Sequence, residues 1–259
     1  MCRWLNIPRS SYYYQAVDPV SEADLEDKIT YIFLESKSRC GARKIKKCLE
    51  KDGIILSRRR IRRIMKRLNL VSVYQKAAFK PHSRGKNEAP IPNRLDRQFD
   101  QERPLEALVT DLTYVRVDRR WAYVCLIIDL FNREIIGLTV GWHKTAELVK
   151  QAIQSIPYAL TKAKLFHSDR GKEFDNQLID EMLEAFGITR SLSQAGCPYD
   201  NAVAESTYRS FKLEFINQET FQSLKELALK TKDYVHWWNY HRIHGSLNYQ
   251  TPMTKRIIA

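Results

Sequence analysis

The stretch LEALVTDLTYVRVDRRWAYVCLIIDLFNREIIGLTVG, residues 105–141, decides the fold. It divides into three runs rich in β-branched and aromatic residues, 105–117, 121–129 and 134–141, parted by Asp118-Arg119-Arg120 and Phe131-Asn132-Arg133. Such runs with short polar breaks predict a three-stranded meander. Downstream the hydrophobic period changes. Ala146, Val149, Ile153 and Ile156 are spaced for an amphipathic helix, followed by a strand at 164–167, a helix at 176–186 ended by Gly187, and a strand at 188–192. Two more helices are predicted at 201–217 and 223–240. The order βββαβαβαα predicts a mixed sheet with helices on its faces, because helical crossovers feed parallel strands and tight turns feed antiparallel ones.

Upstream of the meander, residues 81–104 carry Pro81, Pro90, Pro92 and Pro104 with few apolar residues, and read as a linker. It separates a core at 105–240, with a C-terminal tail at 241–259, from a helical region at 1–80. In that region apolar residues keep helical spacing in three groups: Leu25, Ile29, Ile32 and Phe33; Ile45, Cys48 and Leu49; Ile61, Ile64, Met65 and Leu68. Ser57 stands where an N-cap belongs, and Gly53 breaks the chain before it. Three short helices with a tight break before a basic last one suggest a small all-α helix-turn-helix domain. Its third helix would offer Arg58, Arg59, Arg62, Arg63 and Lys66 to a major groove. The plainer alternative is a solvated basic hairpin that meets phosphates without entering a groove.

Charge supports a polyanionic partner. The chain of 259 residues carries a formal net charge of +13, and 14 Lys or Arg against two acids fall between Lys37 and Arg67. Such a field attracts nucleic acid or an acidic membrane surface. No apolar run approaches a bilayer span, and no signal peptide is read after Met1. Five cysteines without a CxxC pair indicate neither a disulfide framework nor a zinc site, which fits a reducing cytoplasm.

Three acids stand out. Asp111 lies inside the first strand among apolar neighbours, where an uncompensated carboxylate is costly. Asp169 directly follows a strand, at the edge where α/β sheets usually place ligands. Glu205 falls on the helix begun by Asp200-Asn201, whose apolar stripe Ala204, Tyr208, Phe211 and Phe215 would anchor it. Helical spacing puts Arg209 and Lys212 on the side of Glu205. Converging carboxylates suit magnesium, and two such ions can activate an attacking oxygen and stabilise a leaving one at phosphorus. Taken singly, each acid has a plainer reading: a hydrogen-bonded strand acid, a turn or cap residue, a surface helix acid. Asp129 also ends a strand and reads as a hairpin residue, while Glu173 and Asp200 read as caps or solvated loop acids. His236, His241 and His244 lack cysteine company and read as packing or DNA-contact residues. His167 reads as packing beside the site.

The strings VTDLTYV, HSDRGKEF and SQAGCPYDNAVAESTYRSFKLE, with 35 residues between Asp169 and Glu205, resemble the catalytic core of the insertion-sequence-3 family OrfB transposases, relatives of retroviral integrases. WWNYHRIHGSLNYQTP is similar to that family's closing signature, and CGARKIKKCLE to its N-terminal helix-turn-helix. The resemblance implies a ribonuclease-H-like core and a catalytic triad at Asp111, Asp169 and Glu205, with Lys212 as a DNA-contacting base. It also implies Mg2+ or Mn2+ as two ions, double-stranded DNA as partner, a homo-oligomer on that DNA, and a nucleoid-associated place in a bacterium. The family adds an upstream reading frame whose product works with this chain or is fused to it. The reaction implied is hydrolysis at the ends of a mobile element, then in-line attack of the freed 3′ hydroxyl on another phosphodiester. Two rivals remain at this point: a DNA-binding regulator with an idle core, and a structure-specific nuclease of the same fold.

Overall fold

The computed structural model describes residues 21–74 and 91–259, together with 2, 4, 5, 8 and 13. The readings for the rest of 1–20 and for 75–90, including the first part of the expected linker, lie outside the described residues. The chain separates into two units, 1–75 and 76–259.

In the first unit the apolar spacing becomes three helices: α1 (Glu22–Glu35), α2 (Ala42–Lys51) and α3 (Arg58–Arg67). Ile29 and Phe33 from α1, Ile45 and Leu49 from α2, and Ile61, Ile64 and Met65 from α3 bury one shared core. The Ser57 hydroxyl accepts the Arg60 N–H at 3.2 Å, satisfying a donor that the first helical turn leaves open. Gly53 sits at φ +77°, a backbone region that side chains with a Cβ rarely adopt.

The second unit is built on a five-stranded mixed sheet in the order β3-β2-β1-β4-β5. Its strands are β1 (Ala107–Val117), β2 (Arg120–Asp129), β3 (Ile135–Gly141), β4 (Leu165–Ser168) and β5 (Thr189–Leu192). The meander β1-β2-β3 is antiparallel, whereas β4 joins β1, and β5 joins β4, in parallel. Both crossovers run through helices, α4 (Ala146–Gln154) and α5 (Gln177–Ala185). Alternation along the strands feeds two layers. Val109, Val115, Val124 and Leu126 pack with α6 (Ala202–Glu214) and α7 (Leu224–Tyr240), while Leu108, Cys125 and Ile127 pack with α4 and α5. The expected ribonuclease-H-like mixed sheet with flanking helices is therefore present.

Two segments differ from a plain reading of their composition. Residues 91–100 hold no helix or strand, and 92–95 lie against β5, where the buried Ser191 hydroxyl accepts both the Arg94 and Leu95 N–H groups, at 2.8 and 3.2 Å. Residues 241–259 hold a helix, α8 (Pro252–Ile258), capped by the Thr251 hydroxyl. Arg256 on α8 binds buried Asp129 at 2.6 Å and buried Glu134 at 2.5 Å. The Asn132 amide donates to the Pro252 carbonyl at 3.0 Å. Asp129 also accepts the Leu105 and Phe131 N–H groups, so it is a structural hub at the hairpin. Burial pushes its carboxyl above the ordinary range, against the pull of those donors and of Arg256.

Candidate active site

Asp111 and Asp169 each stand two residues beyond Val109 and His167, the last pair of the parallel β1–β4 ladder. Adjacent parallel strands thus carry the two half-buried carboxyls toward the same edge of the sheet. Asp111 Oδ1 accepts its neighbour's N–H, from Leu112, at 2.7 Å, and Asp169 Oδ1 accepts the Gly171 N–H at 3.0 Å.

Helix α6 is fastened to this edge by two side chains. The Asn201 amide donates to the Thr110 carbonyl at 3.0 Å. The Tyr208 hydroxyl donates to the Asp111 carbonyl and accepts the Leu126 N–H at 2.6 Å. Complete burial, then neighbouring groups that include Asp111 and Asp169, push the Tyr208 phenol well above its usual range. It therefore stays a protonated donor. The Cys125 thiol is pushed up to about 12, first by burial and then by Asp111 and Glu173 in spite of the Thr110 hydroxyl, so it is an inert thiol.

Glu173, read from sequence as a cap or solvated acid, is buried and paired with Lys144 at 2.7 Å. Its carboxylate folds back on Gly171, where a Cβ would meet it at 2.3 Å, so a larger residue there would displace the Glu173 carboxylate. Asp200 is buried too; burial raises its carboxyl, but the Gln194 N–H and the Arg97 guanidinium hold it below the usual range. Both acids needed long-range partners that sequence spacing does not reveal. His167 hydrogen-bonds Ser191 and Ser193 through its two ring nitrogens at 2.8 and 3.1 Å. Burial drops its pKa to about 4, so it is a neutral packing residue at pH 7.

The remaining sequence-predicted residues are distributed as follows. Glu205 lies exposed in the first turn of α6, and Arg209 is exposed one turn later. Lys212 is half-buried, with Nζ 4.7 Å from the centroid of the Tyr114 ring. Burial lowers its pKa while the charge of Asp111 works the other way. Among the described residues no three His, Cys, Asp or Glu side chains stand close enough to hold a metal ion together. Strand register puts Asp111 and Asp169 at one edge of the sheet, and Glu205 stands on the helix fastened to that edge. Oxygen donors from two carboxylates, with the nearby imidazole and thiol both engaged and buried, fit a hard divalent cation such as magnesium.

On α3 the side chains divide by partner. Arg60 binds Glu22 of α1 at 2.6 Å, and Arg67 binds Glu22 and Glu26. Arg58, Arg59, Arg62, Arg63 and Lys66 are exposed and make no ion pair among the described residues.

Two family models described as integrase core domain match residues 101–198 and 186–252, and one described as an HTH-like domain matches residues 20–78. The putative transposase InsK of insertion sequence element IS150 from Escherichia coli K12 is 29% identical, over 99% of this chain and 92% of its own length. The transposase of element IS904 from Lactococcus lactis is 29% identical, over 88% and 91%. The transposase InsF of IS3A from E. coli K12 is 28% identical, over 96% and 91%. The HTLV-2 integrase catalytic core, solved in complex with magnesium, overlays with a TM-score of 0.44 at 15% identity, over 59% of this chain and 97% of that one. With an HTH-like match ahead of integrase core matches that together span residues 101–252, the chain is similar over nearly its whole length to the transposases of insertion-sequence elements.

Proposed function

We propose that the chain cuts DNA at the ends of a mobile element and joins the freed strand to another site, using Asp111, Asp169 and Glu205 with divalent metal. The observation that carries this reading is the delivery of Asp111 and Asp169 to one sheet edge by adjacent parallel strands, with α6 fastened there at Thr110 and Asp111. Mg2+ or Mn2+, as two ions, would neutralise charge at the scissile phosphate and activate the attacking oxygen. The chain's own groups do the rest. Tyr208 locks α6, which carries Glu205 and Lys212, to the strand that carries Asp111, and Lys212 would offer a cation to the phosphate next to the reacting one. Removing metal with EDTA is expected to stop nicking of labelled element-end DNA, and Mg2+ or Mn2+ to restore it. Nicking that persists in excess chelator would refute the reading, and a regulator with an idle core would bind DNA without any metal response. A nuclease of the same fold would nick without strand transfer, so the two products are scored separately.

The first unit supplies DNA affinity through Arg58, Arg59, Arg62, Arg63 and Lys66. Each phosphate contact releases about one counterion, so log K should fall steeply with log salt. The double variant Arg58→Ala/Arg62→Ala is expected to flatten that slope by about 2. Arg60→Ala should change it less, because Arg60 is already neutralised by Glu22. Equal slopes for all three proteins would remove α3 from the interface. The working form is an oligomer on double-stranded DNA at the bacterial nucleoid, together with an upstream-frame product.

A further inference from the structure

The far end of β1 carries an exposed group of rings and cations that neither the carboxylates nor α3 uses. Val115 and Val117 turn into the core, leaving Tyr114 and Arg116 exposed on the other face. Trp121 pairs across from Arg116 in the antiparallel register and so lies on that same face. Tyr114 and Trp121 remain 56% and 49% exposed, with ring centroids 5.1 Å apart in an edge-to-face arrangement. A cation lies against each ring: Lys212 at 4.7 Å from Tyr114, and the Arg116 guanidinium at 5.3 Å from Trp121. Arg119 and Arg120 are exposed at the adjoining turn. Among the described residues β4 pairs with β1 only as far as Val109, so this end of β1 has no strand on that side.

We infer that Tyr114 and Trp121 form a stacking platform for an unpaired nucleotide of the DNA strand that leads away from the cutting site, with Arg116 and Lys212 holding its phosphates. This rests on the proposed function and deepens it. Half-exposed rings interleaved with cations suit single-stranded nucleic acid, since any base can stack on a ring while the backbone meets positive charge. Continuity favours DNA as well. Tyr114 is three residues beyond Asp111 on the same strand, about 10 Å at the usual rise, and Lys212, lying against the Tyr114 ring, comes from the helix that Tyr208 fastens to the Asp111 carbonyl. A second copy of the chain is a poor occupant, because a two-fold contact would set Arg116, Arg119 and Arg120 against themselves.

The test uses the full chain and a random-sequence duplex with a short unpaired 3′ end containing 5-iododeoxyuridine, irradiated in EDTA. The crosslink is expected in the peptide that holds Tyr114 and Trp121. Trp121→Ala and Tyr114→Ala should each lower its yield roughly tenfold, Trp121→Phe should keep most of it, and binding of a fully paired duplex should be unchanged. Crosslinks that fall only elsewhere, or that form equally with the fully paired probe, would overturn the assignment. So would a Trp121→Ala chain that loses self-association in sedimentation while its crosslink yield stays the same, since the face would then join copies. Because the crosslink needs no cutting, a wrong assignment of the metal-binding carboxylates would leave it intact, and the two failures can be told apart.

Discussion

Asp111→Asn, Asp169→Asn and Glu205→Gln are each expected to lower DNA nicking and strand transfer by on the order of 10³-fold or more, equivalent to about 4 kcal/mol of barrier. Each change keeps size and hydrogen-bonding capacity but removes the charge that would hold a cation in contact with phosphate. For Asp111 the backbone effect should be small, because the bond from Tyr208 goes to its main-chain carbonyl rather than to its carboxylate. Glu205 is exposed on α6, so its replacement also spares the core. Binding of end DNA should persist in all three, since α3 lies in the other unit. Asp233→Asn, an exposed acid on α7, is the control that should retain full activity. Asp129→Asn is not a neutral control, because Asp129 pairs with Arg256 in a buried site. Strand transfer at the parental rate in any of the three variants would break the proposed mechanism.

The second large effect concerns stability. Arg242 binds Glu214, at the end of α6, through three contacts of 2.9 to 3.1 Å, and the Glu214 side chain is fully buried. Tyr234 donates to the same carboxylate at 2.8 Å, and the Arg242 guanidinium lies 4.2 Å from the Trp238 ring. Arg242→Ala would leave Glu214 charged and enclosed, a loss of about 3–5 kcal/mol for a broken buried pair. In a unit of this size that corresponds to a fall in Tm of roughly 10 °C. The double variant Glu214→Gln/Arg242→Met removes both charges and should recover most of the loss. A change in Tm under about 2 °C for Arg242→Ala would show that the pair adds little.

The meander and the three-helix unit were legible because both follow from local periodicity. Tyr114 and Arg116 alternate with Val115 and Val117, and Ser57 precedes its helix at the capping position. The positions of Asp111 inside β1 and of Asp169 just past β4 were legible for a related reason, since strands can be placed from pattern. Partners distant in sequence were not legible. Glu173 looked solvated because nothing in its vicinity foretells Lys144, some thirty residues earlier on another element. The segment 241–259 has polar residues without amphipathic spacing, yet Arg242 and Arg256 are drawn inward by Glu214, Asp129 and Glu134. Helix α6 is shorter than its composition suggests, ending at Glu214, and Phe215 turns into the core. Lys212 could be placed on its face of the helix from spacing, but not against the ring of Tyr114.

The clasp between α8 and the hairpin also sets an order of events during synthesis. Arg256 follows Asp129 by 127 residues, so at ~5–20 residues per second it leaves the ribosome about 6 to 25 s later. Until then the hairpin end of β2 holds two carboxylates whose burial has no guanidinium to offset it. The sheet can pair and collapse early, but this corner stays hydrated and open until the last turn of helix arrives. The nascent chain therefore acquires the packing of this corner only after α8 has emerged, well after the strands of the meander that it closes.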